Sequence, residues 1–524
     1  MNEPSATWVN GLTNPECYPH PVNQVRLVET HISWVVLTGL YAYKIKKPVK
    51  YSFVDFSTVE RRRWFCEEEV RLNCRLAPEV YLGIVPITGS PAHPHIEGQG
   101  APFEFAVKMK QFSSDQEIFD ILASGEKAET CIFQLADRIA TFHAQIEKAG
   151  EDSTYGTSDM VWQPMEECLQ EIPLHLLTPH TQGFLTHIEQ WAQQEWRKLS
   201  DVFHYRKRVG FVRECHGDLH LGNIAMFEGK VCVFDALEFE PRLRWIDVMS
   251  EIAFLAMDLE KHGHPDLAFV FLNRYLELTG DYEGLRVFRL YQVYRALVRA
   301  KVAGLRLAQL AERSAEEERA KRELTGYLEL AHRFMARTTP TLILMHGVSG
   351  TGKTTVSAEI LKAIYAIRIR SDVERKRLFG ERLESKNKVS LEAGLYHSDM
   401  TERTYQQLRD LARTLLQAGF CVVVDATFLQ HHQRELFRQL AEEQECKCII
   451  VDVFAPELVL KERIARRSRE GCDASDATVE VMKRQQETEE SFTLAEQRHV
   501  IPVDSSDPQS ITRAIKEITG KTGL

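Results

Sequence analysis

Apolar positions change their spacing several times along the chain. Up to about residue 80 they come in short, strand-like runs around one helical segment, Val59–Leu76. The pattern then turns largely helical, broken near Ile224–Phe234 by a strand, a Glu-Gly-Lys turn and a second strand. From about residue 285 a long helical stretch begins, with Leu290, Val293, Tyr294, Leu297 and Val298 at helical spacing. It runs on into AERSAEEERAKREL, whose mixed charges read as a solvated helix face. At Thr338-Thr339-Pro340 the pattern stops, because proline removes a donor and disfavours helix in the residue before it. Strand, glycine loop, helix and strand follow, the rhythm of a parallel α/β domain. Residues 1–337 and 338–524 are therefore expected to be two domains.

The strand Leu342–His346 leads into Gly347-Val-Ser-Gly350-Thr-Gly352-Lys353-Thr354, which matches G-x-x-x-x-G-K-[ST] in full. A helical segment, Val356–Ala366, follows it. Glycines let backbone N–H groups turn inward around phosphate oxygens, and the helix N-terminus adds the positive end of its dipole. Lys353 is expected to reach the outer phosphates and the Thr354 hydroxyl to ligate Mg2+, with Thr355 beside them at the nucleotide. Two further strands, Ile367–Arg370 and Cys421–Val424, run to Asp372 and Asp425. Ligands of open α/β sheets sit beyond the carboxyl ends of the strands, so the P-loop and both aspartates share one edge. Asp425 is expected at Mg2+ or its water, and Asp372 as acceptor of a proton from a substrate hydroxyl. A helix cap or turn aspartate is the structural alternative for each. Arg463, Arg466 and Arg467 share one helix face, which either closes over a transferring phosphoryl group or lies exposed.

In the first half, His216-Gly-Asp218-Leu-His-Leu-Gly-Asn223 precedes the strand pair that ends at Asp235. A tight hairpin brings the start of its first strand beside the end of its second, so Asn223 and Asp235 converge as Mg2+ on a nucleotide requires. Asp218 stands five residues before Asn223, the spacing of base and metal ligand in kinase catalytic loops.

The segments GVSGTGKTT, IRSDVERKRLFG, VVVDATFL and LKERIARR together resemble the P-loop kinases of small molecules and polynucleotide ends, over most of residues 340–505. That resemblance implies Asp372 as base, Arg375 as acceptor ligand, and the arginine helix as a lid with Arg463 and Arg467 at the nucleotide. The HGD…N…D set, with Trp245-Ile-Asp247 after it, resembles the aminoglycoside phosphotransferase branch of the protein-kinase-like fold over roughly residues 30–300. It implies Asp218 as catalytic base and Asn223 and Asp235 as metal ligands. It also implies Lys44, within Tyr41-Ala-Tyr-Lys-Ile-Lys46-Lys47, as the phosphate lysine and Glu69 as its partner. Lys46 points to the same strand face, and the sequence leaves the choice between the two lysines open. The chain departs from this pattern twice: no G-x-G-x-x-G precedes Lys44, and Ala-Leu-Glu rather than Phe-Gly follows Asp235. As a whole it resembles the bacterial bifunctional aminoglycoside phosphotransferase/ATP-binding proteins. The implied fold class is α/β and α+β in two domains, a protein-kinase-like (aminoglycoside phosphotransferase-like) fold followed by a P-loop parallel-sheet kinase domain.

Composition narrows the function. A net charge of -10 argues against a chain built mainly to hold duplex DNA or anionic lipid. The arginines at 368–370 and 375–377 leave room for a local phosphate pocket or a solvated helix face. No apolar run reaches the ~20 residues of a membrane span, no signal-peptide pattern opens the chain, and the 11 cysteines form no zinc-type pairs. A cytoplasmic protein with reduced thiols is expected. His93/His95 and His431/His432 read as surface pairs or metal ligands. The expected function is an ATP- and Mg2+-dependent phosphotransferase with two nucleotide sites, acting on hydroxyl groups of small-molecule acceptors. The alternative is a P-loop kinase, of small molecules or polynucleotide ends, with a regulatory, ligand-binding kinase-like first half.

Overall fold

The structure, a computed structural model, describes residues 6–51, 54–112, 118–310, 314–336, 339–378, 380, 398–470 and 478–522, excepting the side chains at 6, 7, 126, 398, 399 and 467–470. Two compact units divide the chain: residues 1–173 with 196–258, and residues 174–195 with 259–524. Residues 337 and 338, where the sequence pattern places the domain boundary, lie outside the described residues.

In the first unit, β1 (Arg26–Glu29), β2 (Ser33–Leu37) and β3 (Tyr41–Lys46) are joined by β4 (Tyr81–Ser90), β5 (His93–Ile96) and β6 (Glu104–Lys110). They form one antiparallel sheet in the order β1-β2-β3-β6-β4-β5. Strands β4 to β6 correct the sequence reading, which makes the chain largely helical after residue 80. Gly and Pro interrupt β4 and Pro and His interrupt β5, so period-2 patterning is weak in those two strands. The helix Val59–Asn73 starts where the Thr58 hydroxyl accepts the Arg61 N–H. Its buried face carries Arg62, Cys66, Glu69 and Asn73, at helical spacing, so an acidic side chain is delivered among apolar neighbours. The short strands β7 (Val212–Glu214) and β10 (Trp245–Asp247) pair with each other. Between them lies the hairpin of β8 (Ile224–Phe227) and β9 (Lys230–Val233). Its two turn residues, Glu228 and Gly229, have φ of 50° and 75°, as a type I′ turn needs.

The second unit is built on β11 (Thr341–His346), β12 (Ile367–Arg370), β13 (Val422–Asp425), β14 (Lys447–Phe454) and β15 (Val500–Asp504). These strands are parallel, in the order β12-β13-β11-β14-β15. Every residue of β11 and β13 is buried, as central strands covered on both faces require. The helix after the P-loop begins at Lys353 itself and runs to Ile364. Asp425 closes β13, and Asp372 lies in the first turn of the helix Ser371–Leu378. The long stretch read from residue 285 is two helices, Leu285–Leu307 and Ala315–Phe334. Ser314 caps the second by accepting the Glu317 N–H, and Glu316, Glu317 and Glu318 fill its first turn. Among the described residues no helix is long and apolar enough to cross a membrane.

Candidate active sites

The P-loop glycines are required by backbone geometry. Gly347 has φ of +128°, and a Cβ there would lie 2.3 Å from the Val453 carbonyl oxygen; Gly352 has φ of +90°. The Lys353 ammonium donates to the Gly347 and Val348 carbonyls at 2.8 and 2.9 Å. A cavity of about 720 Å³ opens over the loop. Gly350, Gly352, Lys353, Thr354, Thr355, Asp372, Arg375, Asp425, Arg463 and Arg466 all stand on its wall. Gly347 does not; it shapes the turn behind it. The Arg467 side chain lies outside the described residues.

Asp425 is buried and its carboxylate accepts from the Ser357 hydroxyl at 3.4 Å. With the Thr354 hydroxyl it offers hard oxygen donors on one wall, the donor chemistry that suits Mg2+. The pair Arg375 Nη1 and Asp372 Oδ1, 3.6 Å apart, lines the same cavity. Arg463 is tied down rather than pendant: Nη1 donates to Ser505 Oγ at 2.7 Å and to the Thr351 carbonyl at 3.2 Å. Sequence reasoning missed Tyr405, Thr427, Gln433 and Gln485 on the same wall. Gln485 accepts the Ser349 N–H of the P-loop at 2.8 Å. Thr427 follows Asp425 by two residues in the VVVDATFL segment, while Tyr405, Gln433 and Gln485 are brought in by later helices and nothing in their local pattern marks them.

In the first unit the hairpin joins what the sequence separates. The Phe234 N–H donates to the Asn223 carbonyl at 2.9 Å, so Asn223 and Asp235 are neighbours. Asn223 Nδ2 donates to Asp218 Oδ2 at 3.0 Å. Asp235 itself has φ of 63°, and its N–H donates to the Tyr81 hydroxyl at 3.2 Å. His216 Nδ1 accepts the Asp218 N–H at 3.3 Å, which leaves Nε2–H to donate to the Phe234 carbonyl at 3.0 Å. Burial lowers the pKa of this imidazole and keeps that neutral tautomer. Behind the loop, Glu251 accepts the Gly217 N–H at 2.7 Å and pairs with His143 at 2.8 Å.

Both lysines of β3 reach this group. Lys44 Nζ is 2.8 Å from Glu69 Oε1 and 2.6 Å from Asp235 Oδ1. Lys46 Nζ is 2.7 Å from Glu69 Oε2 and also contacts Glu238. Burial alone pulls the Lys44 ammonium pKa down, but the Asp235 and Glu69 carboxylates outweigh it and raise the value. Burial likewise pushes Glu69 up, and Lys44 and Lys46 together carry it down to about 2. Glu238 was not foreseen. It is the acidic residue of the Ala-Leu-Glu departure, and burial raises its pKa against the pull of Lys46. The link from β1 to β2 is only Thr30-His31-Ile32, closed by the Thr30 N–H to the Ser33 carbonyl at 2.9 Å.

Strand order and site together define a two-domain protein with a kinase-like first half and a P-loop domain of kinase type in the second. A family model described as an AAA domain matches residues 342–491. Uncharacterized protein Rv2004c of Mycobacterium tuberculosis (strain ATCC 25618 / H37Rv) is 31% identical over 468 residues, covering 89% of this chain and 91% of the relative. Uncharacterized protein Mb2027c of Mycobacterium bovis aligns with the same figures, 31% over 468 residues. The chain belongs to the family of these mycobacterial proteins. A Plasmodium vivax ethanolamine kinase structure is similar at a TM-score of 0.36 and 12% identity, covering 60% of this chain and 83% of its own. A gluconokinase structure from Sinorhizobium meliloti 1021 is similar at a TM-score of 0.26 and 21% identity, covering 35% of this chain and 97% of its own.

Proposed function

We propose that the chain is an ATP- and Mg2+-dependent phosphotransferase whose P-loop cavity phosphorylates a hydroxyl group of a small-molecule acceptor. One observation carries this reading: Lys353, Thr354, Asp425, Asp372 and Arg375 all line a single cavity. The chain's residues then divide the work. The acceptor oxygen bonds to the γ-phosphorus, the bond from γ-phosphorus to the β–γ bridging oxygen breaks, and ADP leaves with that electron pair. Asp372 takes the hydroxyl proton, and Lys353 meets charge on the outer phosphate oxygens. Thr354 and Asp425 are the residues that would hold Mg2+, which would supply charge neutralisation of the phosphates. The division at 337/338 belongs to the same proposal.

Asp218, Asn223, Asp235, Lys44 and Glu69 are proposed to form a second nucleotide site, with Asp218 as base and Asn223 and Asp235 at the metal. A regulatory first half is the second reading, favoured by the three-residue Thr30–Ile32 link, too short to fold over phosphates. The deciding experiment follows radiolabel from [γ-32P]ATP into fractionated metabolites and RNA. Wild type, Lys353→Ala and Asp235→Ala are compared. Label lost only in Lys353→Ala assigns transfer to the P-loop cavity alone; label lost in neither overturns the proposal.

A further inference from the structure

The helix Pro265–Thr279 lies outside residues 342–491, the stretch matched as an AAA domain, yet it is built into the P-loop sheet. Asn273, buried, uses its side-chain amide as a neighbouring strand would. Its Nδ2 donates to the Ala366 carbonyl at 2.9 Å, and its Oδ1 accepts the Arg368 N–H at 2.6 Å. β12 is an edge strand, so this pair of bonds occupies its outer ladder. One helical turn on, the Glu277 carboxylate accepts from Arg368 Nη2 at 2.8 Å. One helix face thus fixes Arg368 at both its backbone and its guanidinium. The Arg368 and Glu277 side chains are 11% and 6% exposed, so little water competes for the pair.

The other end of the same guanidinium reaches the residues behind the cavity. Arg368 Nη1 donates to the Thr354 carbonyl at 3.1 Å and to Ser357 Oγ at 3.2 Å. Ser357 is fully buried, lies one helical turn after Thr354 and has a single proton to give. Two acceptors stand within its reach, the Thr354 carbonyl at 3.0 Å and Asp425 Oδ2 at 3.4 Å. A carbonyl oxygen has two lone pairs. The helix's own ladder draws on one and Arg368 on the other, which leaves the Ser357 proton to Asp425. Glu277, Arg368 and Ser357 therefore run in series from the helix Pro265–Thr279 to Thr354 and Asp425. None of these three stands on the cavity wall, so any effect they have on a bound nucleotide passes through Thr354 and Asp425.

We propose that Ser357, Arg368 and Glu277 are positioning residues for Mg2+ at the P-loop: they hold the Thr354 backbone and the Asp425 carboxylate in the arrangement that receives the ion. A carboxylate with a fixed proton donor at one oxygen is restrained in how it presents the other, and Mg2+ is the divalent ion least tolerant of misplaced oxygens. Thr354 is steered through its own carbonyl, which Arg368 grips from outside the helix. The helix Pro265–Thr279 is accordingly a working part of the P-loop site. This rests on the phosphotransferase reading of the cavity.

The test uses the full chain carrying Asp235→Ala, so that the signal comes from the P-loop cavity. A non-hydrolysable ATP analogue is titrated by calorimetry twice, in EDTA and with saturating Mg2+, and the ratio of the two affinities is read. Mg2+ is expected to tighten binding in this parent. Ser357→Ala and Arg368→Met are each expected to cut the ratio by roughly 10-fold, the usual effect of losing a partner behind a metal ligand, and Glu277→Gln several-fold. Affinity in EDTA stays at the parent's value in all three, which general damage to the packing would not allow, and so also reports that a variant is folded. Ser357→Ala removes one buried oxygen and decides if Arg368→Met fails to fold. The parent's ratio in Ser357→Ala or in a folded Arg368→Met, or affinities of Ser357→Ala that fall together in EDTA and Mg2+, overturns the positioning role. Mg2+ without effect in the parent overturns it as well. A parent that binds the analogue under neither condition overturns the phosphotransferase reading itself.

Discussion

Lys353 rests on two carbonyls of its own loop, at 2.8 and 2.9 Å, so its ammonium is held at the P-loop. Lys353→Ala is expected to lower nucleotide affinity or turnover by about 10²-fold or more, read by ATP titration with Mg2+. Asp372→Asn is expected to cut transfer by ~10²–10⁴ while ATP affinity holds, because a base acts only in the transition state. In the first unit, Asp235 and Asp218 are expected to separate in the same way. Asp235→Ala weakens Mg·ATP binding and Asp218→Ala leaves it nearly intact, measured with Lys353→Ala in the background to silence the P-loop. Equal losses in the two variants would show that Asp218 holds the ground-state nucleotide. These residues are legible in sequence because motif spacing fixes their neighbours. Glu238, Asn273 and Glu277 are not. Each acts on residues about 90 or more positions away: Asn273 and Glu277 sit at helix positions that carry no local mark, and Glu238, though within the Ala-Leu-Glu departure, gives no sign in the sequence that it meets Lys46.

At the scale of elements, β3 presents two lysines to one glutamate, which is why spacing alone left Lys44 and Lys46 open. Lys44 reaches both Glu69 and Asp235, whereas Lys46 is sealed between Glu69 and Glu238. Strongly patterned elements, such as β11 and the hairpin β8–β9, fall within a residue or two of their expected bounds. Strands β4 and β5 escape because Gly, Pro and His dilute their alternation. The helices after residue 259 bury a carboxyl as well. Burial raises Glu260 from its ordinary value of 4.5 to about 7, against the pull of Gln292 and Arg333. A folded value above the unfolded one contributes stability below about pH 4.5 that is lost as pH rises through about 7. The melting temperature of the wild type is therefore expected to fall across that window, and Glu260→Gln to flatten the profile. The span is about 3 kcal/mol at most for this shift, by linkage. Parallel profiles for the two proteins would remove Glu260 as the cause.

For the whole molecule, the two sites are expected to bind nucleotide as two separate equilibria. Calorimetry with Mg2+ and a non-hydrolysable ATP analogue should give two equivalents per chain in the wild type and one in either Lys353→Ala or Asp235→Ala. One equivalent in the wild type, lost with Lys353→Ala, would leave the first unit without a nucleotide site. The two-domain order was legible because the apolar period changes where Pro340 and the P-loop strand begin. The grouping of the helices 259–334 with the P-loop sheet was not, since their apolar faces fit any partner of similar shape.

The amide of Asn273 lying along the outer side of β12 has a consequence for solubility. A protein cut at residue 338 keeps the whole AAA-matched stretch but bares the Ala366 carbonyl and the Arg368 N–H on a flat, paired-on-one-side strand. Such a strand recruits another like itself. The truncated protein is expected to self-associate through β12, giving dimers and larger species that grow with concentration in sedimentation velocity. A charge placed on that rim, as in Ile369→Lys, would be swallowed by the core and is no remedy; only the missing helix, added back in the same chain from residue 259, keeps the strand solitary.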